Sequence, residues 1–313
     1  METKLISIII PVFNEEKNIA QIYRAVSTEW QKALFHKYDF EIVFVDDGSV
    51  DKSLEEIKQL AKKYSNVHFI EFSRNFGKEM ATTAGVNYCE GEACIMIDAD
   101  LQHPVEMLGK FVKEWEEGYE VVIGVRNESK SDSIMKKIGG TLFYKLMSII
   151  SDVPIIPRAT DYRLMDRKVI DAFNALPERN RMTRGLIDWL GFKRTVINFN
   201  ANERQRGDAS YSTIKLFRLA FTSIISMSML PLRITGYLGI FIVLVASVLG
   251  TVMFLDRYIF AWGLYFTGTA FLADIILFLV GVVLIALGLL AFYIADIYHE
   301  SQGRPMYIIR NKK

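Results

Sequence analysis

Cysteine and histidine, the side chains typical of zinc and redox sites, are scarce in this sequence, which has two cysteines and four histidines among 313 residues. Cys89 and Cys94 lie five positions apart with no second pair, a spacing that fits neither a zinc site nor a disulfide framework. No Ser-His-Asp arrangement can be assembled with any specificity, so hydrolysis by such a triad has no support. The histidines are scattered and form no ligand set: His36, His68, His103 and His299.

Excess charge and glycine-rich phosphate loops are also missing. The formal net charge of +1 gives no argument for binding nucleic acid in bulk. The stretch "NFGKEMATT" lacks the G-x-x-x-x-G-K-[ST] spacing, and no G-x-G-x-x-G follows any predicted strand. A P-loop ATPase and a dinucleotide dehydrogenase are therefore disfavoured. The start "METKLISIII" has no small-residue cleavage site, so it is read as a first strand and not as a signal peptide.

What the sequence does have, up to about residue 125, is a series of apolar runs that alternate with helical patterns. The runs "LISIII", "EIVFV", "VHFIEF", "ACIMI" and "EVVIG" are typical of parallel strands covered on both faces. Three amphipathic helices are predicted: one after Asn14, which would be its N-cap, one after "DDGSVDKS" and one after Pro104. These β-α-β units predict an open, twisted α/β sheet. Beyond them, "SDVPIIPRATDYRL" is predicted to be a loop and "RTVINFN" a strand.

Polar clusters follow the strands at their carboxyl ends, where open α/β sheets bind ligands. In "DADLQ", Asp98 and Asp100 are expected to point the same way, with Gln102 following as the chain turns. Two carboxylates so close need a neutralising cation, and Mg²⁺ or Mn²⁺ takes one or two carboxylates together with phosphate and water oxygens. The alternative is a helix N-cap beside a solvent-facing acid. His103 adjoins this motif and is a weaker candidate for acid–base chemistry.

Two further strand ends suit a nucleotide. In "VDDGS", Asp46 or Asp47 could accept hydrogen bonds from a base or ribose, although a turn capped by Asp-Gly explains the same residues. "PVFNEE" supplies Pro11, Phe13 and Glu15 for a wall beside the base. Guanidinium groups that could bind phosphate oxygens occur in the middle region, and scattered surface charge is the alternative for most of them. They are Arg126, Arg158, Arg163, Arg204 and Arg206.

The last third predicts membrane attachment. Residues 214–232 place Lys215 and Arg218 on one face of an amphipathic helix, which suits a membrane interface, with packing on the domain's own core as the alternative. The uncharged runs 234–255 and 275–295 are each long enough to span a bilayer. Lysine and arginine flank both ends, which places the termini and the sheet on the cytoplasmic side. The predicted units are a sheet domain (1–213), an interfacial helix (214–232), a helical hairpin (233–300) and a tail (301–313).

These segments together resemble family 2 glycosyltransferases of GT-A fold. Within that family the chain is similar to dolichyl-phosphate mannose synthases and to bacterial polyprenyl-phosphate glycosyltransferases with a two-helix membrane hairpin. The resemblance rests on "PVFNEEKNI", "FVDDGSVDKS", "FSRNFGKE", "IDADLQHPVE", "ATDYRLMDRKV" and "RQRGDASYSTIKL". Relatives often carry Ser-Lys where this chain has Ala209 and Ser210. The chain therefore has no lysine at that point to contact the phosphates, and Arg206 could substitute for it.

The resemblance implies a role for each matched residue. Asp98, Asp100 and Gln102 would bind Mg²⁺ or Mn²⁺ and the diphosphate, with Arg126 facing the phosphates. Arg204 and Ser210 would close over the donor. The residues implied to contact the nucleotide are Pro11, Phe13, Glu15, Val45, Asp47 and Ala99.

The implied activity is transfer of one sugar, most simply from UDP-glucose or UDP-N-acetylglucosamine, to undecaprenyl phosphate or a similar polyprenyl phosphate. Attack by the lipid phosphate would invert the anomeric carbon and give a β-linked lipid-phosphate sugar for cell-envelope glycans. Asp161 in "ATDYRL" is the candidate to orient the acceptor or take a proton, and pairing with Arg158 and Arg163 is its alternative. Membrane lipids are expected partners, and the oligomeric state is left open.

Two rival functions differ in class. Processive polysaccharide synthases normally carry Q-x-x-R-W, and none of the four tryptophans follows Gln-x-x-Arg. A membrane-anchored scaffold or sensor would bind the nucleotide without transferring sugar. Formation of an organic-extractable glycolipid separates the transferase from the sensor.

Overall fold

The computed structural model describes residues 4–34, 37–127, 156–179, 181–200 and 268–313, with single residues between 251 and 259. The chain divides into two compact units. The first contains Met1–Ser148, Val153–Ser210 and Arg304–Lys313, and the second contains Ile149–Asp152 and Tyr211–Gly303.

The first unit contains an eight-stranded open sheet in the order β7-β5-β6-β4-β1-β2-β3-β8. Strands β6 and β8 run antiparallel to their neighbours, and the other pairings are parallel. The strands are β1 Lys4–Val12, β2 Tyr38–Asp46, β3 Val67–Phe72, β4 Ala93–Met96, β5 Val121–Arg126, β6 Ala159–Asp166, β7 Arg194–Phe199 and β8 Ile309–Lys312. The described helices are α1 Ile19–Ala33, α2 Ser53–Lys63, α3 Lys78–Tyr88, α4 Leu108–Glu116, α5 Arg167–Ala175, α6 Thr183–Trp189 and α7 Gly268–Ser301.

The predicted open α/β sheet is confirmed, and all five apolar runs form strands. Residues such as Ile8, Ile42 and Ile95 have no exposed surface because helices cover both faces of the sheet. One face packs against α1, α2 and α4, whereas the other packs against α3 and α5. Cys89 and Cys94 are free thiols in the second of these layers. Strand β7 was also predicted correctly.

Three local predictions were wrong or incomplete. Asn14 does not cap α1, since the helix begins at Ile19 after Asn18, and Asn14 has a φ of 57°. Its Oδ1 instead accepts a hydrogen bond from the Val50 amide at 2.9 Å, which joins the loops after β1 and β2. The predicted loop ending at residue 164 contains β6, whose pairing with β4 and β5 outweighs its charged sequence. Helix α3 was missed because its buried residues are small alanines and threonines.

The predicted membrane elements fall mainly outside the described residues. The interfacial segment 214–232 lies wholly outside them, as does nearly all of the first span, 234–255. The second span, 275–295, lies within α7. Counting the described residues alone, no helix is long and apolar enough to cross a membrane.

The C-terminal tail completes the sheet. Strand β8 pairs with β3, and beyond that ladder the Ser73 amide donates to the Ile308 carbonyl at 2.9 Å. The Tyr307 ring stacks on Phe72 with centroids 5.0 Å apart, and its hydroxyl accepts from Asn87 at 2.8 Å. The tail thus covers the outer edge of β3 and seals the core between β3 and α3.

Replacing Tyr307 with alanine should lower the free energy of unfolding of this unit by about 1–3 kcal/mol, because the ring stack and its buried area are lost. Thermal unfolding would show this as a fall in Tm of roughly 3–10 °C. Tyr307→Phe is the matched control, since it keeps the stack and removes one hydrogen bond to Asn87. Equal Tm values for the alanine variant and the wild type would show that the tail does not stabilise the sheet.

Candidate functional site

A cleft of about 380 Å³ opens at the carboxyl ends of β1, β2 and β4. Parallel strands that share this edge bring together loops that are far apart in sequence, as the sequence analysis expected. The cleft is lined by Pro11, Val12, Phe13, Glu15, Asp47, Asn75, Gly77, Lys78, Ala81, Asp98, Ala99 and Asp100. Seven of the residues predicted to bind nucleotide or metal therefore lie around one cavity: Pro11, Phe13, Glu15, Asp47, Asp98, Ala99 and Asp100.

The acidic motif occupies a turn and not the strand itself. Strand β4 ends at Met96, so Asp98 and Asp100 follow it on a turn in which Leu101 has a φ of 59°. Two hydrogen bonds from backbone amides to side chains hold the turn: the Gln102 amide donates to Asp100 Oδ1 at 3.1 Å, and the Asp98 amide donates to His103 Nδ1 at 3.2 Å. Both carboxylates still face the cleft.

His103 helps to hold this turn in place. It is buried, and its ring stacks on Tyr162 with centroids 5.0 Å apart. Burial lowers the pKa of His103, although the carboxylate of Asp98 acts in the opposite direction. A neutral ring whose Nδ1 accepts a backbone hydrogen bond positions the acidic turn and has no proton to donate at that nitrogen.

Asp47 anchors the loop that forms the opposite wall. Its carboxylate accepts from the Phe76 amide at 2.7 Å and from the Gly77 amide at 2.9 Å. Burial raises the pKa of Asp47, and these amide hydrogen bonds oppose that rise. Gly48 permits the close approach, because it has a φ of 69° and a Cβ there would lie 2.5 Å from the Arg74 carbonyl carbon. Asp46 is fully buried and does not line the cleft.

The segment that follows β1 presents an apolar side chain, Phe13, to the cleft. Phe13 is 46% exposed and faces the cleft beside Pro11. Glu15 also lines the cleft, with its carboxylate accepting from the Asn18 side chain at 2.5 Å. Val45, in contrast, has no exposed surface and packs in the core between β2 and α3. The structure thus brings Phe13 to the cleft and keeps the Val45 side chain away from it.

Asp161 belongs to a group of charges beside the cleft, in a second, smaller pocket that shares Lys78 with it. Its carboxylate accepts from Lys78 Nζ at 2.9 Å and forms a bidentate pair with Arg184, not the pairs with Arg158 or Arg163 that were the alternative. Burial alone would raise the pKa of Asp161, but Lys78 and Arg184 hold it well below its usual range. Arg163 pairs with Asp188 instead, at 3.2 Å. Asp161 is therefore ionised at neutral pH.

Lys78 joins Asp161 to the acidic turn. Its ammonium lies 2.6 Å from Asp98 Oδ1, and these carboxylates raise its pKa although burial opposes the charge. Sequence reasoning missed both Lys78 and Arg184. The one available signal for Lys78 was its place after Gly77, at the first residue of a helix that follows a strand end. No sequence feature singled out Arg184.

The donor set at the acidic turn fits a hard divalent cation. No group of three or more histidine, cysteine, aspartate or glutamate side chains that could hold a metal occurs among the described residues. Two carboxylates, however, suffice for Mg²⁺ or Mn²⁺ when phosphates and water supply the remaining ligands. The Lys78 ammonium beside Asp98 Oδ1 shows that a cation is accommodated there. Asp98 and Asp100 are the side chains that would hold the metal.

Two more of the predicted site residues, Arg126 and Gln102, do not line this cleft. Arg126 is exposed at the end of β5, where its amide donates to the Arg158 carbonyl at 3.2 Å. Gln102 contributes its backbone amide to the acidic turn and is not among the residues that line the cleft. Arg204, Arg206 and Ser210 lie outside the described residues.

Comparison with known proteins gives a consistent result. Residues 7–173 match the model of "Glycosyl transferase family 2". The chain is 39% identical over 308 residues to the bactoprenol glucosyl transferase of Shigella phage SfV, covering 98% of this chain and 99% of that protein. It is 38% identical over 308 residues to the prophage bactoprenol glucosyl transferase homolog of Escherichia coli K12, with the same coverage.

Similarity to solved structures is weaker. Glucosyl-3-phosphoglycerate synthase from Mycobacterium tuberculosis, solved with Mn²⁺, UDP and glucosyl-3-phosphoglycerate, is 15% identical with a TM-score of 0.48. The alignment covers 71% of this chain and 78% of that one.

Proposed function

The chain belongs to glycosyl transferase family 2, and from that membership we propose that it transfers a sugar from a nucleotide diphospho-sugar to a polyprenyl phosphate. The observation that carries the proposal is the single cleft that joins Phe13, Asp47, Asp98 and Asp100 at one edge of the sheet. Full-length similarity to two proteins named as bactoprenol glucosyl transferases supports glucose as the sugar and bactoprenyl phosphate as the acceptor.

The two walls of the cleft suit the two ends of a nucleotide. The exposed ring of Phe13 offers a flat apolar surface for a base, and Asp47 has lone pairs left for base or ribose donors beside the loop amides it already accepts. The acidic turn lies at the other end of the cleft, where a diphosphate would meet the cation. We propose UDP-glucose as the donor, with UDP-N-acetylglucosamine second.

Asp98 and Asp100 would hold Mg²⁺ or Mn²⁺, which stabilises negative charge on the departing diphosphate when bound. The chain's own residues position the other reactant. Arg184 and Lys78 supply positive charge next to Asp161, where an anionic acceptor could be held. A phosphate acceptor is already ionised near neutral pH, so it needs less help from a base than an alcohol does. Asp161 would orient this acceptor for attack on the far side of the anomeric carbon, with inversion.

We also propose that the acceptor is met at the cytoplasmic face of the cell membrane. The support is the sequence alone: two uncharged runs, 234–255 and 275–295, flanked by lysine and arginine. The proposed interfacial helix, 214–232, would place the cleft near the headgroups, where a lipid phosphate lies. Arg204 and Ser210 would then close over the donor and Arg126 would meet the phosphates, as the family resemblance implies.

A direct test is to incubate the full-length protein in membranes with undecaprenyl phosphate and radiolabelled UDP-glucose. We expect organic-extractable label that disappears with EDTA and returns with Mg²⁺ or Mn²⁺. Undecaprenol without its phosphate is the matched control and should accept no sugar. A panel of labelled sugar nucleotides would identify the preferred donor. Nucleotide binding without any glycolipid would favour the sensor instead.

A further inference from the structure

Lys78 makes one contact that the transfer reaction does not explain. Its Nζ lies 2.6 Å from Asp98 Oδ1 and 2.9 Å from Asp161 Oδ2, so one ammonium bridges the turn after β4 and the strand β6. The side chain reaches both carboxylates because α3 begins at Lys78, directly after Gly77 with its φ of 100°. The ammonium therefore occupies an oxygen of the residue that would hold the metal.

The two carboxylates depend on Lys78 to different degrees. Asp161 keeps a second cation, because Arg184 pairs with it in bidentate geometry. Among the described residues, Lys78 is the one lysine or arginine within ion-pair distance of Asp98. The remaining basic neighbour, His103 Nδ1, lies 3.9 Å away and accepts a hydrogen bond from the Asp98 amide. Asp98 thus relies on Lys78 for neutralisation, whereas Asp161 does not.

A divalent cation at Asp98 would meet this ammonium. Two cations on one carboxylate repel each other, so a metal that arrives alone must displace Lys78 from Asp98 or accept its repulsion. A diphosphate changes the balance, because its oxygens both ligate the metal and give the displaced ammonium a new anionic partner. Metal binding and diphosphate binding would then each strengthen the other by the same factor.

We propose that Lys78 is a built-in counter-ion that occupies Asp98 until the metal and the donor's diphosphate arrive together, and so couples metal binding to donor binding. Lys78 is a positioning residue in this account, since it acts through Asp98. The proposal rests on the proposed function, because it requires that Asp98 binds a divalent cation.

The test is titration of the purified full-length protein with Mn²⁺, followed by electron paramagnetic resonance of the free ion. Without nucleotide, Lys78→Met and Lys78→Gln should each bind Mn²⁺ at least tenfold more tightly than the wild type. With saturating UDP the difference should shrink, because the diphosphate then relieves the repulsion in the wild type. Lys78→Arg keeps the charge and should retain weak binding of Mn²⁺ alone.

Lys58→Met is the matched control, since Lys58 Nζ contacts Glu71 at 2.8 Å, away from the cleft. It should leave both Mn²⁺ affinities unchanged. Equal Mn²⁺ affinity of the wild type, Lys78→Met and Lys78→Gln without UDP, combined with tight binding when UDP is present, would overturn the role of Lys78 and leave the proposed function intact. Failure of the wild type to bind Mn²⁺ even with UDP would overturn the metal site itself, and this inference with it.

Discussion

Asp100→Asn should reduce sugar transfer by about 10²–10⁴-fold, which corresponds to the several kcal/mol of charge stabilisation that a bound cation supplies. Asparagine is nearly isosteric, and its Oδ1 can still accept the Gln102 amide that Asp100 accepts at 3.1 Å. The turn should therefore keep its shape while its charge is halved. The measurement is initial rate of glycolipid formation at saturating Mg²⁺, together with the Mn²⁺ affinity in the presence of UDP.

The control for this substitution is Asp171→Asn on α5. Asp171 is 66% exposed and pairs with Arg167 at 3.6 Å across one helical turn, so its loss should change neither rate nor stability appreciably. Thermal unfolding should give the same Tm for both variants to within a few degrees. Normal transfer by a folded Asp100→Asn protein would remove Asp100 from the metal site, and the acidic turn would need another explanation.

Asp161→Asn should lower kcat by about 10²-fold or more, the range expected when a group that orients or deprotonates a reactant is lost. Asp161 holds Lys78 and Arg184 together, so its removal leaves two cations whose positions are no longer fixed. The donor KM should change less than kcat, because Phe13 and Asp47 keep their places in the cleft and Lys78 keeps Asp98 as a partner. The comparison of kcat with KM therefore distinguishes an acceptor-side role from a donor-side role.

Asp188→Asn is the matched control for the loss of an arginine-paired aspartate. Asp188 pairs with Arg163 and with Arg194, each at 3.2 Å, and its side chain is 8% exposed. Removing it should lower the free energy of unfolding by a few kcal/mol while the folded protein keeps its kcat. A similar fall of kcat in both variants would show that the effect of Asp161→Asn is one of stability.

The pH dependence follows from the pKa of Asp161, which Lys78 and Arg184 hold well below its usual value although burial opposes this. The group is therefore ionised throughout the range from pH 5 to 8. Its ion pairs contribute stability above the unfolded pKa of about 4, and this contribution is lost only as the pH falls further. A fall in the transfer rate around pH 6 that is seen in the wild type and is absent in Asp161→Asn would contradict this assignment.

The sheet and both walls of the cleft could be predicted from the sequence for a clear physical reason. Strands buried on both faces must be continuous apolar runs, and the carboxyl ends of parallel strands share one edge. Asp47, Asp98 and Phe13 each follow such a run, so their meeting in one cleft follows from the topology. Val45 comes from the family resemblance and not from this reasoning: it lies within β2 with its side chain in the core, whereas Asp47 lies beyond the end of that strand.

The charged pocket beside the cleft could not be predicted in this way. Asp161 is far in sequence from Lys78 and Arg184, and its pairing depends on β6 lying antiparallel between β4 and β5. That placement is decided by long-range hydrogen bonds, whereas the local sequence of β6 is charged. Lys78 resembles any helical lysine until α3 is seen to begin at the cleft. Tertiary pairing, not local pattern, therefore creates this half of the site.

The late position of β8 has a consequence for the newly made protein. Arg310 on β8 and Ser73 beside β3 lie 237 residues apart, so the ribosome must add those residues before the outer edge of β3 gains its partner. At about 5–20 residues per second, the outer edge of β3 would stay open for roughly 10–50 s. An open strand edge invites association with other nascent chains. Chains that stop short of β8 would keep that edge and should be the first to aggregate or to be degraded.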